Sequence, residues 1–184
     1  ALPYLHVGLK NIGLSYSMAQ TWFEPPFTSS NLPIVKITTN AQTILDSVRI
    51  VADMGIINNA SGRNFLNDSF NEYNGKISIE LRGSSSQTFP KKSFALETQD
   101  NFGENNNVKL LGMPKENDWI LHAPYSDKSH MRNMLTFELG SRIGRYTPRT
   151  KYCELFIDDE YQGLYLLMEN IKIDKNRVDI ATLN

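Results

Sequence analysis

Gly75-Lys76-Ile77-Ser78-Ile79-Glu80-Leu81-Arg82 alternates polar and apolar side chains without a break. Successive side chains on a strand point to opposite faces, so Ile77, Ile79 and Leu81 share one face while Ser78, Glu80 and Arg82 share the other. That pattern predicts a half-buried strand, covering a core on one side and meeting water on the other. Upstream, Leu32-Pro33-Ile34-Val35-Lys36-Ile37-Thr38-Thr39 and Ser47-Val48-Arg49-Ile50-Val51-Ala52-Asp53-Met54 have the β-branched, apolar character of two more strands. Residues 58–74 between them and the quoted strand are rich in Asn, Gly, Ser and Asp and read as a loop. Downstream, Ser93-Phe94-Ala95-Leu96-Glu97-Thr98 and Asp118-Trp119-Ile120-Leu121-His122-Ala123 read as strands, with a polar turn over residues 99–107. A hairpin follows: Tyr152 to Ile157, a turn at Asp158-Asp159-Glu160 whose acidic groups read as solvated turn chemistry, then Tyr161 to Met168.

One helix interrupts the strands, over about residues 128–143. Asp127 or Ser129 can cap it, Met131, Met134, Leu135, Leu139 and Ile143 recur at three- and four-residue spacing, and Gly144 is a natural stop. The sum predicts an α+β fold, a mainly antiparallel sheet with one prominent helix. Residues 1–30 read as an N-terminal extension or docking strand: Leu5, Val7, Leu9 and Ile12 to Tyr16 suit a short strand, Trp22 and Phe23 are anchor candidates, and Pro25-Pro26 breaks the chain. Residues 31–184 form the main unit.

Composition bounds the function. The 184 residues are 40% hydrophobic, with two Trp, eight Tyr and nine Phe, enough for one packed core. Nineteen Lys+Arg against 20 Asp+Glu give a net charge of −1, which excludes bulk electrostatic nucleic-acid binding and leaves room only for a local basic patch. No run reaches the roughly 20 apolar residues of a membrane-spanning helix. Cys153 is the single cysteine, which excludes an internal disulfide and a multi-cysteine zinc site; its alternating surroundings predict a buried, inert thiol. The chain begins at Ala1 with no leader pattern, as a processed secreted chain or an excised piece would.

Three segments carry candidate chemistry. Arg82-Gly83-Ser84-Ser85-Ser86-Gln87-Thr88-Phe89-Pro90-Lys91-Lys92-Ser93 leaves a strand with small residues and supplies two lysines before the next strand. Such a loop is first a flexible hairpin connection with solvated lysines; alternatively its backbone N–H groups and cations cradle phosphate oxygens, without the spacing of a P-loop. The helix start, Asp127-Lys128-Ser129-His130-Met131-Arg132-Asn133, either is an ordinary capped terminus or presents Arg132 and Asn133 to an anion. Gln162 to Lys172 is a core strand with a polar end, or a strand whose exposed end meets a flat ligand. His6, His122 and His130 stand alone, and no pair has helical metal-site spacing. Asp100 to Asn105 is loosely like a calcium loop without the EF-hand pattern, and Asn59-Ala60-Ser61 and Asn67-Asp68-Ser69 are formal glycosylation sequons. The aromatic content also allows a carbohydrate-binding β-domain, if Trp22, Trp119 and Tyr125 share an exposed face.

An ordered set of motifs resembles the spore coat protein H (CotH) kinase-like family over about residues 31–184. It comprises Leu32-Pro33-Ile34-Val35, Ile79-Glu80-Leu81-Arg82-Gly83-Ser84-Ser85-Ser86 with Phe89-Pro90-Lys91-Lys92, and Leu110-Leu111-Gly112-Met113-Pro114. Next come Asn117-Asp118-Trp119, the helix start, Tyr161 to Glu169, and Arg177-Val178-Asp179-Ile180. The resemblance implies the N-terminal lobe of an atypical protein-kinase-like fold, in a family of secreted or surface-displayed enzymes that use ATP with magnesium or another divalent metal to phosphorylate Ser on coat or surface proteins. It implies nucleotide contacts from Arg82, Ser84, Ser85, one of Lys91 and Lys92, and Arg132, with Met168 and Glu169 at an adenine-facing hinge. It also implies that the metal-holding and hydroxyl-orienting aspartates lie in a second lobe, beyond the segment resembling Arg177-Val178-Asp179-Ile180; Asp174 and Asp179 sit in no motif resembling the catalytic ones. The expectation is therefore a lobe that binds ATP weakly and shows no turnover without its partner lobe. A surface adhesion or coat-assembly module without catalysis is the alternative. Expected partners are a protein substrate or coat component and the second lobe, with no nucleic acid and no membrane span.

Overall fold

A computed structural model describes residues 27–181. Its strands in chain order are β1 (Ser29–Ser30), β2 (Ile34–Thr38), β3 (Ile50–Ile57), β4 (Asn64–Phe65), β5 (Tyr73–Arg82), β6 (Ser93–Gln99), β7 (Asp118–His122), β8 (Thr150–Ile157) and β9 (Glu160–Glu169), with helix α1 (Arg132–Arg142) between β7 and β8. Seven of them close into a barrel in the order β2-β3-β5-β6-β7-β9-β8, while β1 and β4 form a separate two-stranded ribbon. All barrel pairs are antiparallel except the closing one. There β2 runs parallel to β8, Ile34 opposite Glu154 and Ile37 opposite Ile157.

The quoted alternation builds this barrel directly. Ile77 and Ile79 of β5 are fully buried, as are Phe94, Leu96, Trp119, Leu121, Leu155 and Leu167 from neighbouring strands, and they fill the interior as in other small barrels. Cys153 lies among them with no exposed surface, and burial pushes its thiol up to about 12, so it is inert at neutral pH. The closing seam is fastened at two points. Thr39 donates from its N–H (2.7 Å) and hydroxyl (2.5 Å) to the Asp158 carboxylate, so this acidic turn residue is committed to the seam and is not merely solvated. Ser30 donates to one Glu154 oxygen (2.9 Å) and Tyr161 to the other (2.7 Å).

The α+β expectation and its kinase-lobe counterpart are overturned: the molecule is a closed β-barrel, and its helix is peripheral. The helix spans only Arg132–Arg142 and buries none of its residues. Met131, Leu135, Leu139 and Ile143 do recur every fourth position, yet they are 45–76% exposed. The physical reason is closure. A sheet wrapped on itself covers its own apolar face, so the core needs no helix laid across it. The strand and anchor expectations for residues 1–26, including Trp22 and Phe23, lie outside the described residues.

The segment after β9 is strapped to one end of the barrel. The Glu169 carboxylate, fully buried, accepts from Arg177 (2.6 Å), from Arg149 (2.6 Å) and from the Arg149 N–H (3.0 Å). The Arg177 guanidinium is also buried and lies 5.1 Å from the Trp119 ring centre. Lys172 adds bonds to Glu116 (2.9 Å) and Asp118. Removing one member of a buried ion pair leaves an uncompensated charge, so Glu169→Ala should cost about 3–5 kcal/mol in urea denaturation, whereas the apolar double Glu169→Leu/Arg177→Met should cost much less. A Glu169→Ala loss below about 1 kcal/mol would contradict this role for the pair.

Candidate functional site

Two connections converge at the opposite end of the barrel, where β5 finishes and β6 begins. Gly83 makes the turn out of β5 with φ +121, in a spot where a Cβ would lie 2.0 Å from the Ser86 hydroxyl, so any other residue is both strained and crowded. A 3₁₀ turn over Ser85–Thr88 follows, held by the Gln87 amide donating to the Gly83 carbonyl (2.7 Å). Ser84 and Ser85 are exposed on it. The Phe89 ring then meets Tyr125 of the β7–α1 connection at 5.2 Å, and the Ala123 N–H donates to Ser93 (2.9 Å). These contacts bring the β5–β6 loop against the start of α1.

Asp127 organises that start. Its carboxylate accepts the Arg132 N–H (2.8 Å) and both the N–H and hydroxyl of Ser129 (3.0 and 2.7 Å). The Ser129 and Arg132 hydrogen bonds hold its pKa down to about 2. Arg132 is exposed, its Nε 3.5 Å from Asp127. His122, the last residue of β7, faces the same place, with Asn133 Nδ2 3.2 Å from its Nε2. Burial lowers the His122 pKa, and the neighbouring Arg82 cation lowers it further, so the neutral ring that can accept the Asn133 N–H is favoured.

The two lysines are engaged differently. Lys91 crosses to β9, donating to the Leu164 carbonyl (2.7 Å) with its ammonium 4.6 Å from the centre of the Tyr165 ring. Gly163, at φ +90, leaves room for it: a Cβ there would lie 3.1 Å from Nζ. Burial lowers the Lys91 pKa, opposed by the Glu154 carboxylate. Among the described residues the Lys92 ammonium donates only within its own loop, to the Gln87 carbonyl (2.7 Å).

Of the eight residues singled out from the sequence, the fold gathers Arg82, Ser84, Ser85, Lys91, Lys92 and Arg132 at this end. Met168 and Glu169 sit at the other end, where β9 finishes, and the Glu169 carboxylate is taken up by Arg177 and Arg149. His122 was missed as a member of the cluster. Its signal was positional, a polar residue ending an apolar strand just before the capped helix.

Other candidates separate from this site. Trp119 is 1% exposed and donates to the Glu116 carbonyl, which removes the main support for a sugar-binding aromatic face. In the Asp100 turn the carboxylate accepts the N–H groups of Phe102 and Glu104, ordinary turn bonds. Among the described residues no group of three or more His, Cys, Asp or Glu is placed to hold a metal ion.

The model of the family described as CotH kinase protein matches residues 79–184, more than half of the chain and the whole of this cationic end. The chain belongs to the CotH kinase family. No curated protein matches it. The family match begins inside β5, on the strand that delivers Arg82 and Gly83, and runs through the helix start and past Arg177.

The His122 environment has a measurable consequence. With its folded pKa below the ordinary 6.5, the folded chain binds fewer protons than the unfolded one between those two values. His122 therefore removes stability as pH falls through 6.5 toward its folded value. An NMR titration should place the His122 midpoint below 6.5, and Arg82→Ala should raise it without restoring it fully, since burial is the larger cause. A midpoint at or above 6.5 would contradict the geometry.

Proposed function

We propose that this chain supplies the phosphate-contacting surface of a CotH-family protein kinase, one that uses ATP to phosphorylate Ser on secreted, coat or surface proteins. The observation that carries the reading is the convergence of Arg82, Arg132, His122, Asn133 and the exposed Ser84–Ser85 turn beside the start of α1. Two guanidinium groups and a turn of small residues suit a polyphosphate, and the helix start adds the positive end of its dipole.

Within this reading the residues bind and orient; they do not complete the reaction. Arg82 and Arg132 would hold phosphate oxygens, and the Asn133 amide, kept in place by His122, would add a neutral donor. Lys92 is the lysine freer to turn outward, because it gives up only a bond inside its own loop. Lys91 fastens the loop to β9 and positions it. ATP with magnesium or another divalent ion would bring the transferable phosphoryl group and its countercharge. The fit is to the phosphates: the described residues offer these cations and no clustered ligand set for the metal.

Calorimetric titration with ATP and magnesium tests the assignment. Arg82→Ala and Arg132→Ala should each weaken binding by about tenfold, the loss of one charge-assisted contact. Lys92→Ala should weaken binding with the melting temperature unchanged, while Lys91→Ala should lower the melting temperature. Full binding in the Arg82→Ala/Arg132→Ala double variant would sink the phosphate role. No binding by the unaltered chain would favour the adhesion or coat-assembly module.

A further inference from the structure

The start of α1 is tied to the outer face of the barrel at two points. Tyr152 of β8, Leu166 of β9 and His122 of β7 stand side by side in register across three strands. Their chain neighbours Cys153, Leu167 and Leu121 belong to the interior, so this row faces outward. Neighbouring strands lie about 4.8 Å apart, which sets the backbones of Tyr152 and His122 roughly 10 Å from one another, on either side of Leu166. His122 Nε2 meets the Asn133 amide at 3.2 Å, and the Tyr152 hydroxyl donates to the His130 carbonyl at 2.6 Å. Arg132 lies in the chain between those two ties. We propose that Tyr152 is a positioning residue for the phosphate-contacting surface: its bond to His130 fixes the bend that aims Arg132 and Asn133.

That bend is strained. His130 has φ +58, a left-handed backbone that a residue carrying a Cβ adopts uncommonly. Its ring gives no help from Nδ1, which is buried without a partner among the described residues. The conformation is held through the backbone instead. The His130 N–H donates to the Asp127 carbonyl (2.9 Å), and the His130 carbonyl takes the Tyr152 hydroxyl. Asp127 belongs to the same connection as His130 and moves with it, whereas Tyr152 stands on a barrel strand paired on both sides of the hairpin register. Strained backbone persists where its surroundings over-determine it, and the hydroxyl supplies that constraint from the barrel frame. Tyr152 acts through His130 and touches no phosphate, a role that rests on the phosphate-contacting reading of this barrel end.

Calorimetry with ATP and magnesium, paired with NMR of the ligand-free full chain, tests this role. Tyr152→Phe keeps the ring and removes only the hydroxyl. It should weaken ATP binding about fivefold, the loss of a single hydrogen bond. Without ligand it should also shift the Asn133 side-chain amide and raise the His122 midpoint, because the donor that favours the neutral ring is displaced. The double variant Tyr152→Phe/His130→Gly should regain part of both, since Gly adopts a positive φ as readily as a negative one. Unchanged ATP binding or an unmoved His122 midpoint in Tyr152→Phe overturns the proposal while the phosphate reading stands. A double variant no better than the single one also overturns it, since the hydroxyl would then not act through His130. If the unaltered chain binds no ATP, the phosphate reading falls and takes this role with it.

Discussion

The parallel pairing of β2 with β8 is the contact on which the rest of the molecule depends. Four residue pairs, Ile34–Glu154 through Ile37–Ile157, turn an open sheet into a closed barrel. Without them β2 and β8 would present unpaired edges, and the apolar faces of both would need another cover. With them, Val35, Ile37, Cys153 and Leu155 join one interior with residues from every other barrel strand. The fastenings at Thr39–Asp158 and Ser30–Glu154 lie along this seam, where the chain has the most closure entropy to overcome.

Closure also gives the barrel two chemically distinct ends. At one, the buried Glu169–Arg177 pair and Lys172 strap the segment after β9 in place, so that end is spent on structure. At the other, two loops and a helix start leave Arg82 and Arg132 exposed beside a neutral His122. The family match spans both ends; at the second it covers the exposed Arg82 and Arg132. Lys91 links the two regimes: its charge lies against Tyr165 and the β9 backbone, which makes it a brace for the loop that carries Arg82.

Much of this was legible in local pattern. The alternation of Ile77, Ile79 and Leu81 marks β5, which runs Tyr73–Arg82, and the hairpin of β8 and β9 could be read from its runs and its acidic turn. The small-residue loop with its lysines and the capped helix start were visible as separate segments; that Phe89 meets Tyr125 and unites them is a tertiary fact. The closing seam joins residues as far as 124 positions apart, and no local period encodes that. The helix misled for a related reason. Apolar spacing at Met131, Leu135, Leu139 and Ile143 says that one face is apolar, and only the closed barrel decides that this face is left outside. Glu169 read as a polar strand end because its partners, Arg149 and Arg177, lie on two other segments.

The central claim is that the phosphate-contacting surface lies at the barrel end where β5 meets α1. Backbone NMR during titration with tripolyphosphate tests it most directly, since it reports where the anion sits whatever the affinity. Saturable shifts at Gly83 to Ser86, His122 and Asn133, with Thr150 and Lys151 unmoved, are the predicted result. Shifts that centre on Thr150 and Lys151, or none at Gly83 to Ser86, would contradict it.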